Sequence, residues 1–481
     1  MLRKLLKFII PLGVFLILVA SEAVAGGLAL TGVGSRAISM GGAFRGLADD
    51  WSACYWNPAG LAYLDKSEFN GMLTIISPKP EYTPNIVLKS TDRANEYSIG
   101  FKNGTNWYTH DVNHKIPNFS GFFKFPGMAD FTAGVGIYVP YGTGAVWDIF
   151  DLPNGYNTKV SYPEVDHKSE FDVIDFHPTF AKQVMEGKMS IGLGVSIQKG
   201  NIFLQQMVPT QFSTAAPVPW NYFFTNMELD GSGWGYGANA GILYEVNEDL
   251  RVGVAYRSPT TLKLEGKASL DLYMPYNPGL VDLYDSYGTH NDSLTANYFR
   301  GNVLSAEPDA KADLKLPADY GIGVAYLATE KLTITADLNY TDWARLDFVP
   351  INFDGVSPLG TAADDDTLKT NWDSTVRISA GLEYKYSPKL AFRAGYFRDP
   401  SPIPDETFTP TIPDIGTKNS FNAGLGYDVG TFRIDYNFEF IQFSDRSIAS
   451  TVTDPSGGLE NHAGDYKMKI YANFISITHQ F

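Results

Sequence analysis

The chain has 481 residues, 44% of them hydrophobic, 14% aromatic and 19% charged, with a formal net charge of −16. An acidic balance of this size excludes a nucleic-acid-binding protein, which needs a basic face for the phosphate backbone. A single cysteine, Cys54, excludes an intrachain disulfide framework, and the wealth of aromatics and glycine favours strands and turns over helices.

Arg3, Lys4 and Lys7 precede a short apolar run, Phe8 to Ala20, and Ala23-Val24-Ala25 has the small-residue spacing of a signal-peptidase site. The run is too short to cross a bilayer as a helix. Residues 1–25 are therefore expected to be a secretory signal peptide, with Gly26 as the mature N-terminus. Losing three basic residues and one acidic residue, Glu22, takes the net charge from −16 to −18. No later apolar run is long enough for a transmembrane helix. An exported chain of this kind, without disulfides, must be held together in another way.

Residues 26–65 show no alternation. Small residues, "GVGSRAISMGGAFRGLADD", lead into "DDWSACYWNPAGLAYL", which runs from Asp49 to Leu64. Leu28, Leu30, Phe44, Leu47, Trp51, Tyr55, Trp56 and Leu61 are too many apolar residues for a disordered leader, so the segment must be buried. Asn57-Pro58 reads as a helix start, with Asn as N-cap and Pro in the first turn.

Residues 66–481 alternate with period two. In "KLTITADLNYT", Leu332, Ile334, Ala336, Leu338 and Tyr340 share one face, and Thr333, Thr335, Asp337 and Asn339 share the other. "TFRIDYNFEF" and Leu250–Arg257 repeat the pattern. A soluble antiparallel sandwich gives the same alternation, but the connections separate the two folds. Short turns near Pro126–Asp130, Glu186–Lys188, Asn247–Asp249, Ala328–Glu330, Ser387–Lys389 and Asp428–Gly430 alternate strictly with the long connections Ser77–Lys115, Thr143–His167, Gln206–Asn226, Lys267–Asp309, Phe348–Thr370, Asp399–Lys418 and Ser444–Asp465. The expected fold is all-β: a transmembrane barrel of about fourteen antiparallel strands with short periplasmic turns and long outer loops. Such a barrel is too wide for side chains alone to fill, so residues 26–65 read as a plug, or hatch, inside it. Asn57, Pro58 and Ala59 are then the candidate gate.

The third strand, "FTAGVGIYVPY", runs from Phe131 into Pro140-Tyr141-Gly142-Thr143-Gly144. Proline cannot donate a ladder bond, and the glycines weaken pairing further. Either the strand ends there in a turn, or the ladder breaks and opens the barrel wall. Pro140, Tyr141, Gly142 and Gly144 are the residues concerned.

Catalytic chemistry is not expected. None of the seven histidines has metal-ligand spacing such as H-E-x-x-H. Asp172, Asp175 and His177 read as a polar strand face, Asp364-Asp365-Asp366 as a solvated loop without EF-hand spacing, and Cys54 as a small buried residue. Lys199 could offer a lumenal base to a carboxylate, or be an ordinary lumen-lining or loop-edge charge. No cofactor or metal is expected.

The chain resembles the FadL/TodX family of outer-membrane long-chain fatty acid and hydrocarbon transporters. The resemblance rests on an ordered set of segments: "SRAISMGGAFRGLADDWSACYWNPAGL", "GWGYGANAGILYEVNEDLRVGVAYRS", "LPADYGIGVAYLATEKLTITADLNYTDWARLD" and "FRAGYFRDPSPIPDETFTPTIPD". It implies a monomeric fourteen-stranded barrel, residues 66–481, in the outer membrane, plugged by the N-terminal hatch. The implied cargo is a long-chain fatty acid or a related hydrocarbon, including aromatic ones. It would bind near the hatch tip, where Leu28 and Leu30 match ligand-touching positions, and leave sideways through an opening at a kinked third strand. An open general porin, and an outer-membrane enzyme or adhesin, are the alternatives.

Overall fold

The computed structural model describes residues 26–88, 99–108, 113–125, 127–212, 216–280, 298–450 and 461–481. The expected signal peptide, together with His110, Pro126 and His290, lies outside the described residues. Fourteen antiparallel strands form the wall. They are β1 (Glu68–Pro84), β2 (His114–Phe125), β3 (Met128–Trp147), β4 (His167–Val184), β5 (Met189–Gln211), β6 (Tyr222–Asn247), β7 (Leu250–Arg257, continued by Thr260–Tyr273) and β8 (Asp309–Leu316, continued by Asp319–Thr329). β9 (Leu332–Thr341 and Phe348–Asp354), β10 (Asp366–Lys369 and Thr375–Ser387), β11 (Leu390–Asp399), β12 (Lys418–Val429), β13 (Phe432–Phe443) and β14 (Gly464–Gln480) complete it. The last strand pairs with the first from Glu68↔Gln480 to Pro84↔Gly464, so the sheet closes into a barrel without an edge.

The two faces are reversed relative to a water-soluble protein. On β9 the polar set Thr333, Thr335, Asp337 and Asn339 is buried, while Tyr340 points outward. Phe69, Phe119, Ile191, Val254, Leu382, Phe421 and Ile477 are likewise exposed on the outer surface. Each such side chain left in water forfeits roughly 1.5–3 kcal/mol of burial. In hydrocarbon that loss disappears, and the ladder pairs the strand amides that lipid cannot.

Strands run further than their alternation indicates. Ser77–Lys115, Thr143–His167 and Gln206–Asn226 read as connections in the sequence, yet β1 continues to Pro84, β3 to Trp147 and β5 to Gln211. The stretch Phe348–Thr370, also read as a loop, pairs as a hairpin, Phe348↔Lys369 to Ile351↔Asp366. These extensions rise above the lipid, where both faces meet water or loops, so the two-faced signal fades.

Residues 26–64 lie inside the wall. They contain the short helices α1 (Ser35–Ser39) and α2 (Ala53–Trp56) and a 3-10 helix, Pro58–Tyr63. Their backbone packs against β11 at Tyr396, β8 at Val324 and β5 at Gly192. Arg36 reaches β10, where its Nε and Nη2 donate to Glu383 at 2.8 and 3.0 Å. Contacts on opposite sides of the barrel place the segment across the lumen. Its own apolar residues, including Phe44, Trp51, Cys54 and Trp56, form a buried cluster with Phe122 and Tyr138 of the wall.

Candidate functional site

β3 does not end at Pro140; it shifts register against β4 and leaves β2. Up to Tyr138↔Asp175 its even residues point inward. After one extra residue the pairing resumes at Tyr141↔Val173, and Tyr141, Ala145 and Trp147 point inward instead. This is a β-bulge, which bends the bulged strand away from its neighbour. The pairing of β3 with β2 stops at Phe119↔Ile137. Beyond it His114–Asn118 of β2 pair only with β1, and 138–147 of β3 pair only with β4. The wall therefore has a break between β2 and β3, at whose lower end the Val139 N–H donates to Asn118 Oδ1 at 3.2 Å.

The backbone groups freed at the bulge are paired by the tip of the N-terminal segment. Leu30 N–H donates to Pro140 O at 3.1 Å, Gly142 N–H donates to Leu28 O at 2.9 Å, and Ala29 bridges Tyr141. The tip is held from the other side by Asp414, whose Oδ2 accepts the Gly27 N–H. Lys418 stands 3.4 Å from the same carboxylate. Burial keeps the Asp414 carboxyl above the ordinary carboxylate range, against the pull of Lys418 and that N–H. Gly27 has φ 63°, and a Cβ there would run into Trp343 and Trp372. Glycine is needed both for the conformation and for the close approach.

Trp343 and Trp372 belong to an aromatic shelf across the lumen. Their rings are 5.2 Å apart, and Tyr141 reaches over from the bulge to within 6.4 Å of Trp343. On one side of the tip lies an apolar chamber of about 130 Å³, lined by Leu28, Phe171, Leu264, Leu314, Leu346 and Trp372 among others. On the other lies a chamber of about 390 Å³ whose lining runs from Leu30, Phe443 and Met468 out to Lys115 and Ile174 on the outer face of the wall. That chamber passes through the β2–β3 break. The tip, residues 27–31, thus lies between two apolar spaces that both touch Thr143 and Phe171, and the second runs on through the β2–β3 break.

The Asn57-Pro58-Ala59 turn sits at the opposite end of the segment, near the short turns. Asn57 caps the 3-10 helix, its Oδ1 accepting from Ala59 N–H at 3.2 Å, with Pro58 in the first turn. Its Nδ2 donates to Arg45 O at 2.9 Å within the segment and to Ile242 O of β6 at 3.1 Å. The turn docks on wall positions without side chains: a Cβ at Gly192 would strike the Pro58 carbonyl, and one at Gly241 or Gly253 would strike the Asn57 amide. Nearby, Asp337 accepts from the Phe44 and Arg45 N–H groups at 3.1 and 2.9 Å, and Arg45 reaches Asp319 at 3.1 Å. Charged wall residues thus clamp the segment by its backbone and its two arginines.

Other sequence candidates fall apart or elsewhere. Asp175 and His177 are buried on the lumenal face, His177 hydrogen-bonding Ser196 and Asn239 at 3.0 and 3.1 Å. Asp172 points to the opposite face, to Asn201. Lys199 is not a lumenal base. It lies on the outward-pointing odd register of β5, donates to Ser232 Oγ at 2.7 Å, and covers the exposed Trp234. Strand parity, counted from the exposed Ile191 and Leu193, fixes this. Asp365 accepts from Phe353 N–H inside the outer hairpin. Cys54 is buried, and burial pushes its thiol up, away from reactivity. Sequence reasoning missed Asp414, Trp343 and Trp372, which stand on irregular stretches where no period marks their orientation.

A closed transmembrane barrel with apolar lumenal chambers, obstructed by its own N-terminal segment, has the architecture of an outer-membrane transport protein. Residues 16–481 match the model of the family described as outer membrane protein transport protein (OMPP1/FadL/TodX), and the chain belongs to that family. It is similar to a putative outer membrane protein of Neisseria meningitidis, with 23% identity covering 90% of each chain. It is also similar to the long-chain fatty acid transport protein of Escherichia coli K12, with 25% identity covering 87% of this chain and 90% of that one. Among solved structures, a Pseudomonas aeruginosa FadL homologue matches with a TM-score of 0.73 at 19% identity, covering 95% of this chain and 100% of the other. The Pseudomonas putida toluene transporter TodX matches with a TM-score of 0.70 at 18% identity, covering 94% and 99%. At those identities the likeness establishes the fold.

Proposed function

We propose that this protein carries hydrophobic small molecules, long-chain fatty acids or related hydrocarbons, passively across the outer membrane and releases them sideways into the bilayer. The reading rests on one observation: the lumenal chamber beside Leu30 runs through the β2–β3 break to the outer surface of the wall. A lateral exit suits a cargo that gains by entering lipid and loses by entering water. Names of relatives support the cargo class, since they include a long-chain fatty acid transport protein and a toluene transporter. In this reading the signal peptide is cut after Ala25, residues 26–65 are the hatch, Leu28 and Leu30 touch the cargo, and Pro140, Tyr141, Gly142 and Gly144 shape the exit. The protein works as a monomer among outer-membrane lipids, with 66–481 as the barrel.

Uptake of labelled long-chain fatty acid and of toluene by cells lacking other such transporters tests this, beside ion currents in planar bilayers. Uptake of either probe with the pore electrically blocked supports the proposal. A large steady ion current without uptake sinks it in favour of an open porin. Mass spectrometry of material co-purifying with the barrel identifies the preferred cargo.

A further inference from the structure

The wall has a second discontinuity. β8 and β9 pair from Asp319↔Thr341 to Thr329↔Leu332, and again from Asp309↔Asp354 to Ala312↔Ile351. A last backbone bond, Asp342 N–H to Ala318 O at 2.9 Å, follows the lower ladder, and beyond it residues 313–317 of β8 face 343–350 of β9 without register pairs. β8 stays fully paired to β7 here, Asp309↔Lys267 to Leu316↔Thr260, so it is β9 that departs. It does so through the 3-10 turn Trp343–Arg345, which folds Trp343 and Leu346 into the lumen. Five strand residues at about 3.3 Å each leave a seam roughly 17 Å long.

Three features make this seam more than an irregularity. Its height is the first. Outward-facing Tyr256, Tyr320 and Tyr340 lie in a row, with ring separations of 5.0 and 6.0 Å, as part of the outer aromatic girdle. The seam begins directly beyond Tyr340, at headgroup level, where water can satisfy the freed amides that hydrocarbon could not. Its inner side is the second: Leu314, Leu346, Val349 and Trp372 line both the seam and the apolar chamber of about 130 Å³. Its closure is the third. The outer side is covered by side chains, with Lys315 Nζ 3.5 Å from Asp347 Oδ1 and 4.6 Å from the centre of the exposed Phe348 ring. Both charged groups are partly exposed, so the pair is screened and opens easily.

We infer that the β8–β9 seam is a second lateral portal, latched by Lys315, Asp347 and Phe348, through which hydrophobic molecules gathered at the outer headgroup level enter the apolar chamber. This rests on the transport reading above and adds an entrance to it. The entrance and the β2–β3 exit then lie in different parts of the wall, with the Leu28 tip between them, so cargo must pass the hatch tip.

The test bridges the latch. Lys315→Cys with Asp347→Cys, in a Cys54→Ala background, is joined on cells by a bismaleimide carrying a reducible disulfide. Asp271→Cys with Ser305→Cys, register partners where β7 pairs with Val303–Ala306, joined by a side-chain hydrogen bond and lining neither chamber, is the control. Uptake of labelled long-chain fatty acid and of toluene is measured, with bridging quantified by mass spectrometry. A bridged seam is expected to slow uptake several-fold, with recovery on reduction, while the bridged control behaves as unbridged protein. Unchanged uptake at full bridging, or equal slowing in the control, overturns the portal alone. Absence of uptake in the parent and in the unbridged double variant overturns the transport reading and the portal with it.

Discussion

Asn57→Ala removes a side chain that makes three hydrogen bonds while fully buried. Two of them, to Arg45 O and Ala59 N, hold the hatch turn together, and the third, to Ile242 O, ties it to the wall. At about 0.5–1.5 kcal/mol net for each bond, the docked hatch loses roughly 2–4 kcal/mol, a figure that already contains the capping contribution. With each 1.4 kcal/mol worth about tenfold, the ratio of displaced to docked hatch rises by roughly 30- to 1000-fold. The barrel loses one donor to a ladder carbonyl, Ile242 O, and none of its strand pairs, so assembly should survive. The expected phenotype is a barrel with normal heat-modifiable mobility on gels, frequent transient ion currents in planar bilayers, and slowed uptake. Asn57→Asp keeps the cap acceptor but sets a carboxylate against two carbonyls, and should be at least as damaging. An assembled Asn57→Ala barrel that is as silent electrically as the parent, with unaltered uptake, would refute the claim that this amide clamps the hatch.

Leu28→Ser removes an apolar surface worth about 1.5–3 kcal/mol when covered, and should weaken cargo binding by about tenfold or more in titrations followed through Trp343 and Trp372 fluorescence. Gly142 has room for a Cβ, with Leu30 3.7 Å away; Gly142→Ala should therefore transport normally, while Gly142→Trp should reduce uptake to that of cells without the protein. His462 lies just before β14, and burial, with His167 beside it, depresses it to about 3. The unfolded chain takes up a proton near 6.5 that the fold refuses, so stability is full above that pH and falls between about 6.5 and 3. Thermal unfolding of the parent should drop across that window, and in His462→Gln this acid sensitivity should shrink.

How far the sequence could be read depended on where each residue lies relative to lipid. Inside the bilayer each strand has one face in hydrocarbon and one in the lumen, and Leu332 to Tyr340 wrote that difference as strict alternation. Above the bilayer the difference is lost, and so 348–354 and 366–369 looked like loop and Thr143–Trp147 like the end of a strand. Pro140 and the glycines after it marked the third-strand anomaly, because proline has no N–H to give a ladder. No comparable signal marked β9: Trp343 and Leu346 turn inward through a change of backbone geometry, and local sequence carries no record of which way such a turn folds. Lys199 stayed ambiguous because a single charge does not declare its face; only the parity of the whole strand does.

The sequence by itself determined the barrel, its strand number, the buried N-terminal segment and the weak point in β3. Each follows from local chemistry: period-two burial, turn spacing, apolar content, a missing donor. Only the tertiary structure decided that Leu28 to Leu30 complete the broken strand, that Asp414 anchors their other side, and that β8 and β9 part above the tyrosine girdle. Those arrangements join residues from tens to hundreds of positions apart, and they arise when the sheet closes and its register is fixed, which no short stretch of chain can specify.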